Sequence, residues 1–337
     1  MDELAMRFDT VISTPYDSLS EILRSRWTES TIEVYRKDWL RFCDWAFCRD
    51  CIGFPVSPAV LLNYLVWMHE QGYSKSLIRR TITVMRLLHD SDNPTTHSGI
   101  VAVMRGIARK DKRAPFKAHP LSISDLTAMC IELSNRFGYR SEPHEYWRLP
   151  RDIALLTVGW CGALRAAEIV ALNWHDIVET QQGVEITIRQ SKTSQDSEIL
   201  ALPLLREEYQ SICPVRALRL WKNYCDLLNL ELPYIDTKKR SGVPANSEQP
   251  VFVNNNGARL NKRTVSRVID VAARKAGLNI HLSSHSLRRG FATFAAYAGI
   301  SERSLMRHGR WHTSAIMQGY VERAKLWTDN PVVQLLT

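Results

Sequence analysis

At 337 residues with 45% hydrophobic side chains, the chain is long enough for two domains, each with its own core. A formal net charge of +9 favours a polyanionic partner such as DNA, RNA or an anionic membrane. The seven cysteines are odd in number and scattered, which argues against a disulfide framework, and the Cys48 and Cys51 pair lacks the second pair that a structural zinc needs. The stretch from Met1 to Arg26 has no continuous apolar run of the signal-peptide kind. The most apolar segment, Ile153 to Leu164, is interrupted by glycines and is shorter than the roughly 18 residues of a membrane span. A soluble, cytoplasmic protein is expected.

Residues 1–14 read as a flexible N-terminus. Ser30 and Glu33 then have capping-box spacing, and Tyr35, Trp39, Phe42 and Ala46 follow at steps of four, three and four, the pattern of an amphipathic helix. Ser57 and Pro58 predict a second helix running through Leu61, Leu62, Leu65 and Met68 to Gly72. A third spans Ser74 to His89, ahead of the Asp92, Asn93, Pro94 breaker, and a fourth spans Ser98 to Lys110. Together they predict an all-α domain over residues 15–110. A basic, proline-containing stretch at 111–120 reads as a linker, either a solvated loop or a strap along phosphates.

The rest, 121–337, predicts an α+β domain. Helices are expected at Ser124 to Phe137, Arg151 to Cys161, Ala166 to Leu172, Pro214 to Leu228, Arg263 to Ala276 and Leu287 to Ala298. Val184 to Ile188 and Ile199 to Leu202 alternate as strands, with Gln190 to Ser197 as the hairpin turn, and Tyr234 to Gln249 reads as a polar surface loop. Asn330 and Pro331 cap a short tail helix, 331–336. The fold class is therefore mainly α with a small antiparallel β-sheet.

Chemistry concentrates in the second half. His285 and Arg288, three apart on a helix, share a face. Upstream, Gly162, Ala163, Leu164 and Arg165 put an arginine just after a glycine-bearing turn, with Glu168 one helical turn on. Downstream, Gly309, Arg310 and Trp311 precede Tyr320 by nine residues from the tryptophan, and Lys192 lies in the hairpin turn. Paired guanidiniums are planar bidentate donors that stabilise the charge of a phosphodiester as it spreads. Tyrosine is a poor nucleophile until nearby cations or a base favour its phenolate. A lysine on a hairpin can protonate a leaving oxygen.

The ordered set Arg165, Lys192, His285, Arg288, Trp311 and Tyr320 resembles the tyrosine recombinase (phage integrase) family, the Cre-like recombinases above all. Residues 30–45 and 74–89 resemble its core-binding domain, and residues from 121 onward its catalytic domain. The resemblance implies a two-domain, C-shaped clamp on duplex DNA and a site-specific recombinase that works through a 3'-phosphotyrosyl link to Tyr320 and a Holliday junction. It implies no metal or nucleotide cofactor. Partners would be double-stranded DNA with inverted repeats and three further protomers, the protein being monomeric before it meets DNA, in a bacterial or phage-encoded, nucleoid-associated setting.

Within that resemblance Glu168 supports Arg165, and Lys75, Arg79, Arg80 and Arg86 on one helix and Lys262, Arg263 and Arg267 on another are the DNA readers; Arg274 and Lys275 extend the second row. His312 adjoins Trp311 and could share its role, Arg289 adjoins Arg288, and Tyr297 is assigned to the core. Rival readings are a type IB topoisomerase-like relaxer, a DNA-binding architectural protein with a dead site, and a metal-dependent nuclease, the last disfavoured by the lack of clustered carboxylates.

Overall fold

A computed structural model describes residues 27–51, 54–89, 93–111, 118–139, 147–189, 197–231, 249–311, 313 and 335. The chain divides into two compact units, Met1–Pro115 and Phe116–Thr337. The expected 234–249 loop, except Gln249, and the tail helix, except the exposed Leu335, lie outside the described residues, as does most of the 111–120 linker.

In the first unit, α1 (Glu29–Phe47) carries a buried stripe of Ile32, Trp39, Phe42, Cys43 and Ala46. Its N-cap is Thr28, not Ser30. The Ser30 and Glu33 capping box does not form, because the helix begins at Glu29 and Glu33 pairs with Lys37 one turn on, at 2.7 Å. The other starts follow their caps. Ser57 Oγ accepts the Val60 N–H ahead of α2 (Pro58–Glu70), and Ser74 Oγ accepts the Leu77 N–H ahead of α3 (Lys75–Leu88). Helix α4 (Ser98–Lys110) adds Ile100 and Ile107 to the core.

Aromatic rings fill the centre of this unit: Phe42 meets Trp39 at 5.3 Å and, edge-on, Tyr64 at 5.1 Å. One charge lies among them. Asp38 is 1% exposed and is neutralised by Arg41 at 2.8 Å and by Arg80, whose Nε and Nη2 both reach its carboxylate, tying α1 to α3.

The second unit is built around α6 (Arg148–Cys161), whose residues from Leu149 to Trp160, apart from Asp152, are buried. It packs against α5 (Ile123–Tyr139), α8 (Pro214–Glu231) and α10 (Ser284–Tyr297). The helix starts three residues ahead of the expected Arg151, because Pro150 falls in the first turn, where its missing N–H is no loss. Helix α7 (Ala166–Ala171) follows directly.

The sheet has the order β1 (Ile177–Glu179), β2 (Gly183–Ile188), β3 (Glu198–Pro203), all antiparallel. Register pairs Val184 with Leu202 and Ile186 with Leu200, so these four side chains share the buried face while Glu185 and Ile199 point outward. Strand β1 is too short for alternation to announce it.

Helix α9 (Lys262–Lys275) is capped by Asn261, which accepts the Thr264 N–H at 2.8 Å. Helix α10 is pinned to the start of the unit: Leu121 N–H donates to Ser286 O, and Trp160 Nε1 donates to Leu121 O. A Cβ on Gly290 would stand 2.1 Å from that same Leu121 oxygen, so only glycine allows the approach. Tyr297, expected in the core, is instead 39% exposed on the last turn of α10. Helix α11 (Glu302–Gly309) was not expected, since its buried residues are only Leu305 and Gly309 and it offers no apolar stripe to read. All seven cysteines are free, and no helix among the described residues is long and apolar enough to cross a membrane.

Candidate active site

The site forms where α6 ends. After Cys161 the chain turns through Gly162 and Ala163, the latter in the left-handed region at φ 47°, and Arg165 becomes the N-cap residue of α7. The carbonyls at the end of a helix lack intrahelical donors and carry partial negative charge. Here three consecutive ones are met by side chains from far along the chain. His308 Nε2 donates to Cys161 O at 2.7 Å, Arg310 Nη2 to Gly162 O at 3.0 Å and Arg288 Nη1 to Ala163 O at 2.6 Å.

Glu168 lies under the turn, 4% exposed. Its Oε2 accepts the Arg165 backbone N–H at 2.9 Å and Arg310 Nη2 at 3.2 Å, and its Oε1 accepts Arg165 Nη1 at 2.5 Å. Burial pushes its carboxyl up, but the Arg310 charge and the bonds from Arg165 outweigh that and hold it below the ordinary carboxylate range. The Arg165 side chain thus has one edge fixed and keeps 27% of its surface exposed.

Burial holds the His308 imidazole below its usual range, with the charges of Arg310, Arg288 and Arg307 adding to the effect against the bond to Cys161 O. It acts as a neutral N–H donor, its ring stacked on Phe291 at 4.6 Å.

Arg288 is buried, and its guanidinium lies 4.2 Å from the centre of the Trp311 ring. Trp311 is 6% exposed and packs with Ala163, Ala292 and Leu305. Its ring also lies directly on Gly309, where a Cβ would come within 1.7 Å of Cζ3. Among the described residues, then, Arg165, Glu168, Arg288 and Trp311 converge on one turn. His285 is exposed one helical turn before Arg288, on the same face of α10. Lys192, in the β2 to β3 connection, Tyr320 and His312 lie outside the described residues.

A recess of about 570 Å³, lined by Arg148, Asn254, Asn261 and Arg267 among others, sits at the N-terminal ends of α6 and α9. None of the cluster residues lines it, and the 14 residues of α6 put the two places about 20 Å apart.

The chain matches the phage integrase family over residues 150–326. It is 35% identical over 287 residues, 82% of this chain and 78% of the other, to the tyrosine recombinase XerC of Pelobacter propionicus. The chain belongs to the phage integrase family. The recombinase is also 27% identical to an integrase/recombinase xerD homolog of Selenomonas ruminantium over 90% of this chain and 84% of that one. With recombinase cre of Escherichia phage P1 it shares 22% over 94% and 91%.

Solved structures agree on the fold. The XerH site-specific recombinase bound to palindromic difH substrate superposes with TM-score 0.60 at 14% identity, covering 88% of this chain and 78% of that one. A lambda integrase tetramer bound to a Holliday junction gives 0.57 at 13%, covering 94% and 76%. The recombinase is an enzyme of a family that cleaves and rejoins DNA strands.

The expected DNA-reading rows divide on inspection. On α3, Lys75, Arg79 and Arg86 fall at intervals of four and seven and share one face, with Arg79 and Arg86 exposed and Lys75 partly so. Arg80 is drawn off that row onto buried Asp38, where it ties α3 to α1 while its side chain stays partly exposed. On α9, Lys262, Arg263 and Arg267 are exposed, while Arg274 pairs with Asp270 at 3.1 Å. Sequence reading missed Arg310 and His308. Their partners lie 142 to 148 positions away, so no local spacing announces them.

Proposed function

We propose that the recombinase cuts and rejoins duplex DNA at inverted-repeat sites through a 3'-phosphotyrosyl link to Tyr320, with Arg165 and Arg288 holding the scissile phosphate. The observation that carries this reading is the meeting of Arg165, Arg288 and Trp311 at one turn braced by Glu168. Two positioned guanidiniums stabilise the charge that spreads over the phosphate oxygens in the transition state. Glu168 orients Arg165, and Trp311 packs on Arg288 while offering its indole N–H to a phosphate oxygen.

Tyr320 Oη attacks phosphorus with His285 assisting removal of its proton. The bond from phosphorus to the 5'-oxygen breaks, and that oxygen takes a proton from Lys192. One phosphoester replaces another, so a free 5'-hydroxyl from a second strand reverses the step with no nucleotide consumed. Lys75, Arg79, Arg86, Lys262, Arg263 and Arg267 supply phosphate and base contacts. Four protomers on two sites would exchange one strand pair, pass through a Holliday junction and exchange the other. The expected apolar tail helix at 331–336, too short to stand alone in water, needs a receiving groove on its own protomer or a neighbour, and the resemblance to Cre-like recombinases favours the neighbour.

The test is a nicked suicide duplex that traps the covalent adduct. Tyr320→Phe should abolish the adduct while duplex binding persists; an undiminished adduct overturns the assignment.

A further inference from the structure

Arg310 is an unusual choice of residue for its place. Its backbone is left-handed, φ 55° and ψ 48°, a conformation that costs any side chain energy that glycine avoids. Its side chain is 2% exposed, and burying a guanidinium requires partners for its charge and its donors. Those partners all lie within the site. Nη1 donates to His308 O at 2.9 Å, and Nη2 donates to Gly162 O at 3.0 Å and to Glu168 Oε2 at 3.2 Å. In return, the Arg310 carbonyl accepts Arg165 Nη2 at 3.4 Å. Arg310 therefore touches the Arg165 guanidinium directly through its own oxygen and indirectly through the carboxylate that Arg165 rests on. The next residue is Trp311, which stacks on Arg288.

We propose that Arg310 is a positioning residue for strand cleavage: it ties the segment carrying Trp311 to the turn carrying Arg165 and, through Glu168, sets where the Arg165 guanidinium points. The proposal rests on Arg165 acting at the phosphate. It differs from a plain helix-end cap in one respect. A cap would need only the Gly162 carbonyl, whereas Arg310 also shares Glu168 with Arg165.

Glu168 is faced by Arg165 from its own turn and by Arg310, and Arg310 in turn feels Glu198 of β3. His308 and Arg288 stand on the neighbouring carbonyls. Removing Arg310 takes away one of the two cations that keep the buried Glu168 ionised, so the carboxylate should protonate at higher pH and release Arg165.

The experiment is single-turnover cleavage of a nicked suicide duplex at saturating protein across pH, beside duplex affinity and melting. Arg310→Met should bind within about twofold of the unmodified protein, cleave at least about tenfold slower and show its acid limb at higher pH. Arg310→Lys should recover part of the rate and move the limb back. On a Glu168→Gln background, Arg310→Met should add little further loss. A wild-type rate for Arg310→Met overturns the proposal, and so does a slower rate with an unmoved acid limb and full additivity with Glu168→Gln. Should Arg310→Met not fold, Arg310→Gly, which suits left-handed backbone, is read by the same criteria. Arg165→Ala run alongside separates the two ideas, because wild-type cleavage by that variant would sink the role of Arg165 itself.

Discussion

Two buried carboxylates, one in each unit, hold a pair of arginines each, and only one of them lies in the candidate active site. Asp38 is clasped by Arg41 and Arg80, whose side chains are 30% and 37% exposed. Glu168 is clasped by Arg165, 27% exposed, and by Arg310, 2% exposed. A buried carboxylate with two arginines is thus no mark of function. What differs is the surroundings of the arginines. Arg80 ties α3 to α1, whereas Arg165 sits at a helix-end turn that also receives Arg288, stacked on the Trp311 ring.

The largest effect expected from this contrast is on cleavage. Arg288→Ala should slow single-turnover cleavage by at least about a hundredfold, the scale of one lost oxyanion donor, with duplex affinity nearly kept. An equal fall in affinity would mean that Arg288 serves grip. Next in size is Asp38→Asn, which should cost about 1–3 kcal/mol of stability by loosening a charged, buried hydrogen-bond pair. Its cleavage rate at saturating protein should stay that of the unmodified recombinase. A cleavage defect without a lower melting temperature would erase the distinction between the two carboxylates.

The smallest effect is a pH dependence. The folded state holds His308 below its unfolded value near 6.5, so its contribution to stability is present above about 6.5 and is lost as pH falls through the folded value. Glu168, also held low, acts the same way only below its ordinary 4.5. Melting temperatures between pH 7.5 and 5.5 should therefore fall less for His308→Gln than for the unmodified chain. Parallel slopes would show that His308 does not titrate in this window.

Much of this was legible from local signals. Ser57 with Pro58, Ser74, and the alternation of Val184 to Ile188 all marked elements that form. Arg165, Glu168, Arg288 and Trp311, singled out by residue pattern and by the resemblance to the tyrosine recombinases, come together at one turn. The failures arise where a nearer competitor takes a local signal, where a helix lacks an apolar period, or where partners far along the chain override local spacing. Ser30 lost the cap to Thr28 two positions earlier, and Arg80 turned from its basic row to Asp38, 42 positions away. Helix α11, with only Leu305 and Gly309 buried, left no apolar period, and Arg310 is explained by the Gly162 carbonyl and the Glu168 carboxylate, both more than 140 positions upstream.

The central claim is that this cluster serves one tyrosine, and the most direct measurement identifies the residue that becomes joined to DNA. The trapped adduct from a nicked suicide duplex, digested with protease and nuclease and sequenced by mass spectrometry, should carry its nucleotide on Tyr320. A nucleotide found instead on another tyrosine, such as the exposed Tyr297 or Tyr209, would contradict the account.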